Sequence, residues 1–99
     1  MGFEYKLKTK LTHQQTTEIQ DLLENAVLFE KKYEYAHQLF WDFRHVENTG
    51  KMPNISIIFE EDGIYICQYG SSYMWKDLDE LKNYIEKEQI ACEIIDYQE

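Results

Sequence analysis

Three histidines, two cysteines and a run of carboxylates are the side chains whose types could do chemistry in this 99-residue chain. His37 and His45 would share one side of an unbroken strand, but eight residues put them roughly 26 Å apart, too far to share a metal. His13 lies at a helix start, where a polar residue is ordinary. All three read as surface or structural groups. Cys67 sits among apolar strand neighbours in Tyr65-Ile66-Cys67-Gln68-Tyr69, and Cys92 has a similar setting. A nucleophilic thiol needs a helix N-terminus, a cation or a histidine nearby, and none adjoins either in sequence. Both read as packed free thiols, with a redox pairing of the two left open. Glu60-Glu61-Asp62 is the densest acidic cluster. It could supply an acid–base pair, but acids beside a turn ordinarily solvate it. The rhythm of a calcium loop breaks at once in Glu60-Glu61-Asp62-Gly63-Ile64-Tyr65, and the four glycines are too scattered for a phosphate cradle. The expectation is therefore no catalytic residue, no metal and no cofactor.

Charge is the stronger signal. Residues 60–99 hold eleven acids against three lysines, a net of −8, whereas residues 1–59 hold eight acids against seven bases, a net of −1. The acidic stretch also carries Tyr65, Tyr69, Tyr73, Trp75, Tyr84 and Tyr97. A one-sided negative field laced with amphipathic aromatics suits capture of a basic protein. The isoelectric point near 4.7 argues against binding to a nucleic-acid backbone or an anionic membrane surface, since both need clustered Lys and Arg. No apolar run reaches the roughly 20 residues of a membrane span. Met1-Gly2-Phe3-Glu4-Tyr5-Lys6 lacks a signal-peptide layout, and Lys6 stands where N-myristoylation wants Ser or Thr. With that layout lacking and both cysteines read as free thiols, the expected compartment is a reducing cytoplasm.

One domain over residues 1–99 is expected, and its elements can be read from periodicity. Residues 3–11 alternate, with Phe3, Tyr5, Leu7, Thr9 and Leu11 opposite Glu4, Lys6, Lys8 and Lys10. This is a half-buried strand whose lysine face could guard a sheet edge. Thr12 and Gln15 form a capping box, and Ile19, Leu22, Leu23, Ala26 and Val27 give a helix over residues 13–27. Residues 28–35 fit either a helix extension or a loop. Tyr35, His37, Leu39, Trp41 and Phe43 alternate as a second strand, closed by Asn48-Thr49-Gly50. Ile55, Ile57 and Phe59 begin a third, and Ile64 to Tyr69 form a fourth. Asp62-Gly63 between them signals a type I′ hairpin. Asp77 and Glu80 mark a helix start before Leu78, Leu81 and Ile85, and a last strand runs from Ile90 to Tyr97. The order β-α-β-β-β-α-β predicts an α+β fold, mostly antiparallel, with both helices on one face.

Size, acidity, aromatic content and this layout resemble, in overall character, the small bacterial immunity proteins that neutralise a cognate toxin domain, commonly a basic nuclease. The resemblance implies a cytoplasmic inhibitor without catalysis of its own, whose acidic surface stands in for nucleic-acid phosphate. From the residues themselves, the partner-binding candidates are Glu60, Glu61, Asp62, Tyr65, Tyr69, Tyr73, Trp75, Asp77, Asp79 and Glu80. The same tyrosines could instead simply cover a sheet face. Two further readings remain: a self-associating subunit or homodimer that buries Phe40, Trp41 or the exposed tyrosines, and an enzyme built on Glu60 and Asp62 or on a histidine.

Overall fold

In a computed structural model, which describes residues 2–98, the chain runs β1 (Phe3–Lys8), α1 (His13–Glu24), β2 (Phe29–Tyr35), β3 (Gln38–Phe43), β4 (Ile55–Glu60), β5 (Gly63–Gln68), α2 (Asp79–Lys87) and β6 (Glu93–Asp96). The fold is α+β. The six strands form one sheet in the order β2-β3-β4-β5-β1-β6, and all neighbours pair antiparallel. The element order is the one read from the periodicity, with one further strand, β2, in the segment left open between helix and loop.

Alternation decides which side chains meet the helices. Tyr5 and Leu7 of β1, Trp41 and Phe43 of β3, Ile55 and Ile57 of β4, and Ile64 and Ile66 of β5 all point to one face. There they pack against Ile19 and Leu23 of α1, Leu81 and Ile85 of α2, and Met74 and Leu78 from the loop before α2. Trp41 is only 1% exposed, and its Nε1 donates to Glu24 Oε2 at 3.0 Å. It is a core residue and is not free to bury against a second copy. β1 lies inside the sheet between β5 and β6, so its lysines guard no edge. They stand on the helix-free face, where Lys6 Nζ lies 3.0 Å from Glu60 Oε1 and also contacts Asp62.

The capping box forms as read: Thr12 Oγ1 accepts from the Gln15 N–H at 3.0 Å, and Gln15 Oε1 accepts from the Thr12 N–H at 3.0 Å. The helix stops a turn earlier than its apolar spacing suggests, because Asn25 ends it with its N–H and its Nδ2 both donating to Asp21 O. Val27 is left 96% exposed.

Two turns differ from the sequence reading. The alternating run 35–43 is not one strand, because Ala36 and His37 adopt φ of 53° and 66°. They form the two-residue loop of the β2–β3 hairpin, across which Tyr35 pairs with Gln38. Positive φ at both loop positions is type I′ geometry, normally marked by Asn-Gly. Neither residue gives that signal. His37 thus sits on a turn and His45 lies beyond the end of β3, so the two do not share a strand. In the β4–β5 hairpin Glu60 pairs with Gly63, which makes Glu61-Asp62 the loop, one residue earlier than expected. Gly63 has φ of 154°, and a Cβ there would lie 2.0 Å from Leu7 O of β1. The glycine therefore lets β1 approach β5.

Two stability predictions follow from these turns. Gly63→Ala should cost more than about 1 kcal/mol, since both its φ and the β1 backbone oppose a side chain. Ala36→Asn combined with His37→Gly should stabilise the fold by roughly 1–2 kcal/mol, by relieving two left-handed residues. Urea titration of the purified variants measures both.

Candidate protein-binding surface

The helix layer carries most of the molecular charge. α1 contains Glu18, Asp21 and Glu24 with no Lys or Arg, a net of −3. Residues 76–88 contain Asp77, Asp79, Glu80, Glu86 and Glu88 against Lys76, Lys82 and Lys87, a net of −2. The two segments pack side by side, so −5 of the molecule's −9 lies in one layer. A side-chain clasp joins the helices: the Tyr84 hydroxyl donates to Glu18 Oε1 at 2.5 Å. That bond is the main reason the Glu18 carboxyl lies below its ordinary range, helped by Gln14 and Lys87. Burial, then Glu18, pushes the Tyr84 phenol up to about 12.

Where the C-terminal end of α1 meets the N-terminal end of α2, the layer opens into a cleft of about 160 Å³. Leu22, Leu23, Leu28 and Phe43 are among its apolar lining, and Asp77, Asp79 and Glu80 bring carboxylates to it. The exposed Val27 lines it as well. Asp79 and Glu80 occupy the first turn of α2, where the helix dipole favours them. Asp77 does not cap the helix as expected. It takes a left-handed φ of 61°, its Oδ2 stands 2.8 Å from His45 Nε2, and the residue at the N-cap, Leu78, makes no side-chain cap bond. An apolar floor with a carboxylate rim suits a long cationic side chain, stem on the floor and head at the rim.

The other candidate residues lie elsewhere. Glu60, Tyr65 and Tyr69 stand on the opposite, helix-free face, around a depression of about 330 Å³ that Phe40, Ile58 and Cys67 also line. Local pairing has already absorbed much of the charge on this side. Tyr65 donates its hydroxyl to Glu4, and burial followed by that bond raises its phenol. Burial, followed by the neighbouring Cys67, pushes the Tyr69 phenol up to about 12. Burial also raises the Cys67 thiol, which keeps it protonated. Cys92 packs against the core from the helix side, so the sheet separates the two free thiols. Glu61 and Asp62 form the tip of the β4–β5 hairpin, and Lys6 holds the Asp62 carboxyl below its ordinary range. Tyr73 is exposed on the loop before α2, whereas Trp75 is half-buried against the core. The ten candidates therefore form no single surface: Asp77, Asp79 and Glu80 meet at the cleft, Glu60, Tyr65 and Tyr69 stand on the helix-free face, and the rest lie at the hairpin tip or on the loop before α2. The contribution of α1 is invisible in the charge of residues 1–59, because the lysines of β1 and β2 offset its acids there.

Among the described residues no group of three or more His, Cys, Asp or Glu side chains is placed to hold a metal, and no helix is long and apolar enough to cross a membrane. The most buried carboxyl is Asp42, 3% exposed on β3, where Ser56 Oγ donates to it at 2.8 Å. Burial raises it above the ordinary carboxylate range, partly offset by Ser56 and Tyr33. Comparison with protein-family models, curated proteins and solved structures finds no match for this chain.

Asp42 yields a pH prediction. Its folded pKa lies above its unfolded value, so the folded state holds the proton more tightly, and this site's contribution to stability grows as pH falls through the folded pKa. Asp42→Asn should raise Tm at neutral pH. Its advantage over the wild type should shrink on acidification toward about pH 4, as followed by thermal melts across the range.

Proposed function

We propose that the protein is a non-enzymatic binding module, an immunity-type inhibitor that captures a basic toxin domain of the nuclease kind in the bacterial cytoplasm. The carrying observation is the helix layer: five net negative charges on α1 and the segment 76–88 that contains α2, with an apolar cleft opening at their junction. A nuclease that grips phosphate must present Lys and Arg around its cleft, and a layer of carboxylates complements that pattern. Long-range attraction of this kind can raise association toward 10⁸–10⁹ M⁻¹s⁻¹ at low salt, which suits a target that must be stopped quickly. Affinity would then come from a few desolvated contacts, with Val27 and the apolar cleft lining available on this face.

The test uses the basic effector domain encoded beside this chain. Co-expression should protect cells from that domain, and the purified pair should associate with a rate that falls steeply with salt. Asp79→Lys with Glu80→Lys should slow association about tenfold or more and flatten the salt dependence. Glu60→Lys, on the opposite face, should change it far less. The reading fails if no such domain is encoded there, or if the pair neither binds nor protects. Equal effects from the two faces would remove the helix layer as the site.

A further inference from the structure

β2 is an edge strand, and every residue from Glu30 to Tyr35 is exposed. Its pairing with β3 is regular from Lys31 to Tyr35, beyond a register shift between Phe29 and Lys31. Because a two-residue loop joins the strands, Tyr35 and Gln38 form a hydrogen-bonded pair. Alternation then directs the backbone groups of Tyr33 toward β3 as well, and those of Lys32 and Glu34 toward the free edge.

Exposed edges are ordinarily guarded by like charges that repel a second copy. This edge reads Lys31-Lys32-Tyr33-Glu34-Tyr35, a pattern that complements itself when reversed. From these observations we infer that β2 is a homodimer interface, pairing antiparallel with β2 of a second copy about a two-fold axis at Tyr33. In that register Lys32 opposes Glu34 of the other copy, twice over, at the positions whose backbone groups point outward. Lys31 opposes Tyr35, and the two Tyr33 side chains meet at the axis.

Moving the axis to residue 32 or 34, a two-residue slip and the smallest that keeps outward-pointing backbone groups opposed, would set Lys32 against Lys32 or Glu34 against Glu34. Cross-strand charge pairing thus selects one register. Tyr33 already stacks on Phe40 with ring centroids 5.1 Å apart and planes within 7°, and Lys31 Nζ lies 5.2 Å from its ring. The dimer would continue that ladder across the axis. Glu30, Lys31, Lys32 and Glu34 sum to zero in a molecule of net charge −9, so two anionic copies can approach here with little repulsion. The axis stands perpendicular to the sheet, so both helix layers remain free, and the interface does not depend on the proposed toxin partner.

Sedimentation of the wild-type protein up to millimolar concentration should show a monomer–dimer equilibrium. Glu34→Lys alone should weaken the dimer about tenfold or more, and Lys32→Glu together with Glu34→Lys should restore it, with circular dichroism confirming the fold of each. Register is read separately in a chain that also carries Cys67→Ala and Cys92→Ala. There Tyr33→Cys should crosslink to its copy on mild oxidation, and Glu34→Cys should not. A wild type that stays monomeric throughout overturns the inference. So does a Glu34→Lys dimer as tight as wild type, a folded double variant that fails to recover, or crosslinking at position 34 in place of 33.

Discussion

Two short helices have to cover a six-stranded sheet, and much of the rest of the molecule follows from that shortage. Helices of twelve and nine residues lie on one face. At about 10 Å per helix they shade a width of roughly 20 Å, whereas six strands span about 24 Å between the outer axes. The centre of the sheet is sealed, with Leu7, Ile57 and Ile66 fully buried. The strand farthest from the other edge, β2, is left bare. On the far face no helix is present, and Ile58 and Cys67 are buried among neighbouring side chains of the sheet. The aromatic share of 15% has a structural purpose here, because broad rings with a polar tip shield a sheet where no second layer exists.

The same arrangement sorts the charges. Lysines in β1 and β2 are drawn to strand positions that face acids, as with Lys6 beside Glu60 and Asp62 and Lys32 at 3.6 Å from Glu24. Apart from Glu24, which Lys32 and Trp41 reach, the helical acids meet no strand lysine among the described ion pairs. Packing α1 against α2 therefore concentrates a field that neither helix has alone. The β2 edge is charge-balanced and the helix layer is not, so the two surfaces suit different occupants. The proposed occupants, a like copy at the first and a basic protein at the second, match that difference.

Much of the fold was legible in local pattern. The Thr12–Gln15 box, the paired β4 and β5 arms and the amphipathic stretch around Leu81 and Ile85 each carry their signal within a few residues, and all appear in the structure. The failures share a cause. Tyr35 to Phe43 alternates through a turn because Ala36 and His37 accept left-handed conformations without the glycine that would have announced them. Asp77 looks like a helix cap, yet His45, 32 positions earlier in the chain, takes its carboxylate. The candidate site was legible only in part: Asp79 and Glu80 gave their charge away, while the apolar floor from Leu22 to Leu28 read simply as helix interior and its continuation.

By itself the sequence determined the α+β class, the alternation that makes one sheet face apolar, the acidity, and the lack of any metal or phosphate motif, because each of these is a property of composition or short-range spacing. Only the tertiary structure decided that β1 sits inside the sheet, that β2 is left at an edge, and that the acids of α1 join those of α2 across a cleft. Those outcomes depend on which distant segments pack together. Packing is settled by the whole core at once, so no window of neighbouring residues contains it.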